Sequence, residues 1–311
     1  MTRDSILLAA SDGTKIVVHR WLPDGKPAGI IQISHGMAEY AMRYDRFAEA
    51  ALLENYAVYA ADHRGHGETA GSLEKLGYLA DRKGFDRVME DQHELTEEIQ
   101  KAWPKVPVVL FGHSFGSFVA QMYIEKYGDT LAGCVLSGTR GPDPATVFGG
   151  KILANVICLF GGKKKPSPFL TQLSFGAYNK RIPDAQSPNA WLSRDPEEVE
   201  KYDASPWTGF TCTAGFYRDL MSGLSRIHKP QAMDLIPKNI PIFILSGTDD
   251  PVSVYGKTVQ TLAGIYKGIG IKNVKLTLYE GGRHENLNET NRDEITRDII
   301  GWVRSVFSPA G

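Results

Sequence analysis

Residues 108–123, "VVLFGHSFGSFVAQMY", decide the fold. An apolar run ends at Gly112, and an apolar segment with helical periodicity follows Ser114. Between them stands Gly112-His113-Ser114-Phe115-Gly116. Glycine is unfavourable inside a strand or a helix. Two glycines around one serine at the junction therefore need a reason. A strand that turns sharply into a helix strains its apex residue and leaves no room for side chains beside it. Gly112 and Gly116 supply that clearance, and the turn lifts the Ser114 hydroxyl above the sheet edge. The first N–H groups of the helix point to the same spot, where a developing oxyanion would be stabilised. The expectation is a nucleophilic Ser114. Against it stands a chance grouping of Gly and Ser, which are both common.

The pattern around this junction repeats in both directions. "SILLAA" and "KIVVHRWL" flank Asp12-Gly13 and predict a β-hairpin. "AGIIQISHG", "YAVYAAD" and "LAGCVLSG" read as short buried strands, separated by helical segments near 44–55, 86–103 and 115–127. The alternation halts near residue 139 and resumes with "IPIFILSG", a helix over 254–268, "VKLTLY" and a helix over 289–307. This predicts an α/β fold with a mostly parallel central sheet flanked by helices. Residues 1–140 and 237–311 form its core, and 141–236 an inserted, mainly helical cap.

Composition narrows the function. The 311 residues, 42% of them hydrophobic, suit one large domain with an insertion. A net charge of −1 with mixed signs offers no footprint for nucleic acid. Cys134, Cys158 and Cys212 are odd in number and far apart, which argues against a disulfide framework. No metal-ligand spacing occurs, and neither a metal nor a cofactor is expected. The first residues lack the apolar core of a signal peptide. The longest apolar stretch, "ILANVICLF" at 152–160, is shorter than the roughly 20 residues of a membrane span. A soluble, cytoplasmic protein is expected. The sequence leaves its oligomeric state open.

A serine nucleophile needs a base, and the base needs an orienting carboxylate. At a strand–serine–helix junction of this kind the acid follows the serine in the chain, and the histidine follows the acid. Of eight histidines only His228 and His284 follow the serine's helix. His228, in "SRIHKPQ", reads as a surface or cap residue. His284, in "EGGRHENLNE", follows a strand directly, and Gly281-Gly282 give its loop the freedom to project the imidazole. The acid is expected just past "PIFILSG", where Asp249 and Asp250 are adjacent. Neighbours in an extended segment point opposite ways, so one of them faces His284. Asp250 precedes Pro251 and is biased toward extended angles. It is the preferred acid, and Asp249 is left to turn hydrogen bonds.

Taken together, these residues identify the chain as resembling the α/β-hydrolases. "SHGMAEYAMRY", "DHRGHGET" and "GHSFGS" resemble three ordered motifs of the monoacylglycerol lipase and bacterial lysophospholipase-like branch, also labelled serine aminopeptidase S33 or hydrolase 4. Tyr40 departs from the histidine usual there, and Phe115 from the usual methionine. The resemblance implies Ser114 as nucleophile, His284 as base and Asp250 as acid. It also implies an oxyanion hole from the N–H groups of Met37 and Phe115. Glu39, Arg43 and Tyr44 would fix the loop carrying Met37, and Arg64 and His66 would support a turn. The implied substrate is a small-molecule ester or lipid. A thioesterase or acyltransferase, an aminopeptidase and a non-catalytic ligand-binding protein are the alternatives. The segment 147–169, an apolar run followed by Lys163, Lys164 and Lys165, raises two further readings. One is peripheral contact of the cap with lipid aggregates; the other is a helix packed on its own domain.

Overall fold

A computed structural model describes residues 2–308. The strands β1 (Thr2–Ala9), β2 (Lys15–Leu22), β3 (Gly29–Ser34), β4 (Tyr56–Ala61), β5 (Val108–His113), β6 (Gly133–Ser137), β7 (Ile242–Gly247) and β8 (Val274–Tyr279) form one sheet. Their order is β1-β2-β4-β3-β5-β6-β7-β8. The pairs β1–β2 and β2–β4 are antiparallel, and all the others are parallel. The hairpin turns at Gly13, whose φ of +85° suits glycine.

Strands β3 to β7 are buried along their whole length, which is why their sequences are continuous apolar runs. Their alternate residues feed two cores. Ile30, Val108 and Leu110 pack on one face, while Ile31, Ile33, Val109 and Phe111 pack on the other. The period of two along a strand sends each neighbour to the opposite layer.

The helices of the core are α1 (Asp45–Leu53), the short α2 (Gly67–Ala70), α3 (Gly84–Ala102) and α4 (Phe115–Tyr127). Between β6 and β7 the chain forms mainly helical elements, α5 (Pro144–Ile157), α6 (Pro168–Phe175), α7 (Pro196–Ala204), α8 (Ala214–Ile227) and α9 (Pro230–Met233), with one antiparallel bridge between Pro166 and Thr213. These lie within the span expected for the cap. Then α10 (Lys257–Gly268) and α11 (Arg292–Phe307) complete the core.

Three details differ from the sequence reading. Helix α10 starts three residues later than expected, because Val254, Tyr255 and Gly256 all have positive φ (53°, 59° and 81°). These angles form a left-handed turn that a right-handed helix excludes. Helix α11 likewise begins at Arg292 rather than 289, after a turn at Asn286–Asn288. Helix α5 runs directly into a π-helical turn, Cys158–Gly162. The joined segment Pro144–Gly162 has 19 residues and is long and apolar enough to cross a bilayer, by length and composition alone.

Candidate active site

Parallel strands deliver their carboxyl ends to one edge of the sheet, where open α/β folds place their ligands. Ser114 follows β5, Asp250 follows β7 and His284 follows β8, so the strand order β5-β6-β7-β8 brings all three to that edge.

Ser114 is the apex of a strained turn, with φ 49° and ψ −118°. Its glycines act through steric clearance. A Cβ on Gly116 would lie 1.9 Å from the Ser34 carbonyl oxygen, and one on Gly112 would lie 2.5 Å from the Gly116 carbonyl oxygen. The elbow thus packs directly on the end of β3. Ser137 O accepts the Ser114 N–H at 2.9 Å, tying the apex to β6.

His284 is buried, and its Nδ1 lies 3.1 Å from both carboxylate oxygens of Asp250. With Nδ1 engaged, Nε2 is the nitrogen left to accept a proton. Asp250 is fully buried, and Asp249 is exposed. The Asp250 carboxylate is itself held by the Val252 N–H at 2.8 Å and the Ser246 hydroxyl at 3.4 Å. Burial opposes the imidazolium of His284, but Asp250, with Glu285 and Glu39, outweighs it and raises the pKa above the usual histidine value. The neighbouring His113, 4.9 Å away ring to ring, is pushed down to about 3, chiefly by burial and then by His284.

Glycines shape this loop in ways the sequence did not signal. A Cβ on Gly247 would sit 1.8 Å from the Gly282 carbonyl oxygen. Gly281 takes φ +64°. The expected flexibility of Gly281-Gly282 is thus better described as a left-handed turn and a close backbone crossing. Gly138, at φ +56°, leaves space for both His113 and His284, whose Cε1 atoms lie 3.0 Å from where its Cβ would be.

Met37 and Phe115 lie beside Ser114 in one cavity wall. Among the described residues neither backbone N–H has an acceptor, so both are available to a ligand oxygen. The loop carrying Met37 is fastened at several points. Glu39 Oε1 accepts the Gly36 N–H at 2.5 Å and the Tyr44 hydroxyl at 2.9 Å. The Ala38 carbonyl, on a residue with φ 53°, accepts the Tyr202 hydroxyl at 3.0 Å and the Gly209 N–H at 2.9 Å. Tyr202 and Gly209 belong to the helical insertion, which therefore holds the loop from above.

Arg64 and His66 sit away from Ser114 in the turn after β4. Arg64 makes paired bonds to Asp91 and Asp12, and His66 packs against Phe210 and Phe216. Of the two readings of His228, surface or cap, the structure favours the cap: it is half-buried at the end of α8, bonds Gln121 at 3.0 Å and lines a cavity that reaches Ser114.

Two cavities meet at Ser114. One, of about 430 Å³, runs past Phe118, Leu170, Leu173, Leu220 and Leu224 and is mostly apolar. The other, of about 250 Å³, holds His284 with Gln172, Asn189 and Thr171 and has a larger polar share. No group of histidine, cysteine, aspartate or glutamate suited to holding a metal ion occurs among the described residues.

Comparison with known proteins places the chain in a family. The sequence profile of the family described as Serine aminopeptidase, S33 (Hydrolase_4) matches residues 25–291. A monoacylglycerol lipase of Mycolicibacterium smegmatis is 30% identical, over 98% of both chains. The monoglyceride lipase of Homo sapiens is 28% identical, over 98% of this chain and 91% of that one. A thermostable carboxyl esterase of Bacillus coagulans, solved in complex with glycerol, superposes with a TM-score of 0.91 at 28% identity. That match covers 99% of this chain and 100% of the esterase.

Proposed function

Since the chain belongs to the serine aminopeptidase S33, or hydrolase 4, family, we propose that it is a serine-dependent carboxylic ester hydrolase. Its substrates are monoacylglycerols, lysophospholipid-like lipids or short-to-medium acyl esters. The observation that carries this reading is the meeting of an apolar and a more polar cavity at Ser114. An ester has the same division, with an apolar acyl chain on one side of its carbonyl and a polar alcohol on the other. The similarity to lipases and to an esterase supports it.

In the proposed reaction the Ser114 hydroxyl attacks the ester carbonyl and His284 Nε2 takes its proton. The N–H groups of Met37 and Phe115 bind the oxyanion. Collapse of the tetrahedral intermediate expels the alcohol, which takes the proton back from His284. A water molecule, deprotonated by His284, then attacks the acyl-enzyme and releases the acid and Ser114. Asp250 holds Nδ1–H toward itself throughout, which keeps the productive tautomer.

The aminopeptidase alternative needs a carboxylate left over for the substrate's ammonium group. Glu39 and Glu285 line the polar cavity, and both are bound to Arg43. Asp143 lines the apolar cavity and is paired with Arg140. The carboxylates are therefore occupied, which favours neutral esters. The test is Ser114→Ala, assayed on p-nitrophenyl esters, monoacylglycerols, acyl thioesters and amino-acid amides. Loss of a triad serine costs about 10³-fold or more. A variant that keeps more than a few per cent of turnover refutes the assignment, and a preference for thioesters or amides redirects it.

The insertion is also proposed to rest on lipid aggregates. Leu159 and Phe160 are 77% and 84% exposed, and Phe148, Phe169 and Leu173 extend the same kind of surface along α5 and α6. Lys163 and Lys164 both lie within ion-pair distance of Asp81, so the apolar side chains carry the contact more than the lysines do. Leu159→Ser with Phe160→Ser should weaken sedimentation with phosphatidylcholine vesicles and leave hydrolysis of a soluble short-chain ester unchanged. Wild-type protein that fails to sediment with vesicles removes this proposal.

A further inference from the structure

Behind the candidate site two buried carboxyl groups share one guanidinium. Arg43 donates to Glu39 Oε2 at 2.7 Å, and to both oxygens of Glu285 at 2.6 and 2.7 Å. The side chains of Arg43, Glu39 and Glu285 are only 11%, 4% and 6% exposed. The remaining partners of the two carboxyl groups are the Gly36 N–H and the Tyr44 hydroxyl for Glu39, and the Asn288 amide for Glu285. For Glu285 the donors Arg43 and Asn288 favour the ionised form, whereas the Tyr44 hydroxyl beside Glu39 can donate or accept. The cluster thus holds two buried carboxyl groups against a single guanidinium, with Glu285 as its firmly ionised member.

Its position is specific. Glu285 follows His284 directly, and its N–H bonds the Leu192 carbonyl of the insertion at 2.7 Å. Glu39 belongs to the loop of Met37. Among the groups around His284, Asp250 comes from the β7 end and Glu39 from the β3–α1 connection, which also carries Arg43. His113 comes from β5 and Trp191 from the insertion, with Tyr178 packed on Trp191. His113 is neutral over the working range, and Trp191 and Tyr178 are uncharged there. Charge near the imidazole thus comes from Asp250 and from this cluster. Burial opposes ionisation of Glu285, but Arg43 overcomes it and holds that carboxyl at about 2. Burial raises Glu39, with Arg43 opposing.

We propose that Glu285, acting with Arg43 and Glu39, is a second counter-charge for the imidazolium that His284 becomes during acyl transfer. In this reading Glu285 is a positioning residue that does not touch the substrate. The inference rests on the hydrolase reading above for its catalytic meaning, while its electrostatic content can be measured without turnover. Glu285→Gln keeps the shape and one of the two acceptors for Arg43, and it removes one negative charge from the cluster. Asp250 remains in place.

The experiment follows the His284 imidazole by NMR titration, with the resonance assigned by a His284 variant, and the acid limb of kcat/KM in parallel. The expected result for Glu285→Gln is a midpoint lower by about 0.5–1 pH unit, in line with the loss of one nearby negative charge. The plateau kcat should fall several-fold, with KM changing less. Glu285→Asp keeps the charge and should keep the midpoint. Glu39→Gln removes the other carboxyl group of the cluster, one of the groups that raise His284, and should also lower the midpoint, which covers a failure of Glu285→Gln to fold. Asp249→Asn, an exposed control, should leave the midpoint in place. Folded Glu285→Gln protein whose midpoint stays within about 0.2 unit of wild type overturns the proposal. An NMR midpoint that moves in a protein without ester turnover overturns the hydrolase reading and leaves the electrostatic one standing.

Discussion

Replacing Asp250 with asparagine changes one atom and tests the proposed site at its most determined point. The Asp250 Oδ1 atom accepts the Val252 N–H at 2.8 Å, and both carboxylate oxygens lie 3.1 Å from His284 Nδ1. An asparagine must keep its oxygen toward Val252, because an amide N–H there would face another N–H. Its NH₂ group then occupies the Oδ2 position, beside Ser246 Oγ and His284 Nδ1. An NH₂ donating to Nδ1 forces the proton onto Nε2, the nitrogen that must accept from Ser114. The variant loses both the productive tautomer and the charge that steadies the imidazolium. A wrong tautomer in a triad of this type costs about 10⁴ in kcat. At about 1.36 kcal/mol per decade that is roughly 5 kcal/mol of barrier. Asp249 is exposed and, among the described residues, no hydrogen bond joins it to His284, so Asp249→Asn should change kcat less than about threefold, within ordinary surface variation. The assay is kcat for p-nitrophenyl butyrate near pH 8 with both variants, after thermal melts show them folded. Asp250→Asn that keeps more than a tenth of kcat, or equal losses at the two positions, refutes the argument.

The acid limb of kcat/KM should have its midpoint above pH 6.5, because the net effect of burial and the surrounding carboxylates raises His284 above that value. Only the neutral imidazole accepts the serine proton, so activity is full above the midpoint and is lost as pH falls through it. A pH–rate profile with a midpoint below about 6 contradicts this sign. Gly116→Ala would place its Cβ 1.9 Å from the Ser34 carbonyl oxygen, and backbone offers little relief. Urea unfolding should show a loss of at least about 1–3 kcal/mol, and an unchanged midpoint argues against the close crossing of elbow and β3.

The strands and the elbow were legible because burial is written into local sequence. A strand covered on both faces must be apolar at every position, so "IIQI", "VVLF" and "IFIL" announce themselves without a partner. The two glycines around Ser114 carry a steric demand that no other residue meets. Chain order then pointed to His284 and to the Asp249-Asp250 pair. Element boundaries at 254–256 were misjudged for an equally local reason. Valine and tyrosine carry no signal for left-handed angles, and only the surrounding hydrogen bonds, such as Tyr255 N–H to Asp250 O at 2.8 Å, impose them.

What the sequence by itself determined was therefore the layered α/β architecture, the strained serine turn and the set of residues from which a site is built. The tertiary structure alone decided which of them meet. It set Asp250, already preferred from Pro251, against His284 at 3.1 Å, and between the surface and cap readings of His228 it put the residue in a cavity wall of the insertion. It also joined Arg43 to Glu285 across 242 residues. The physical reason is that periodicity reports which face of an element is covered, a property of neighbours along the chain. The pairing of distant charges depends on strand order and on loops that close over one sheet edge, and no local pattern records that.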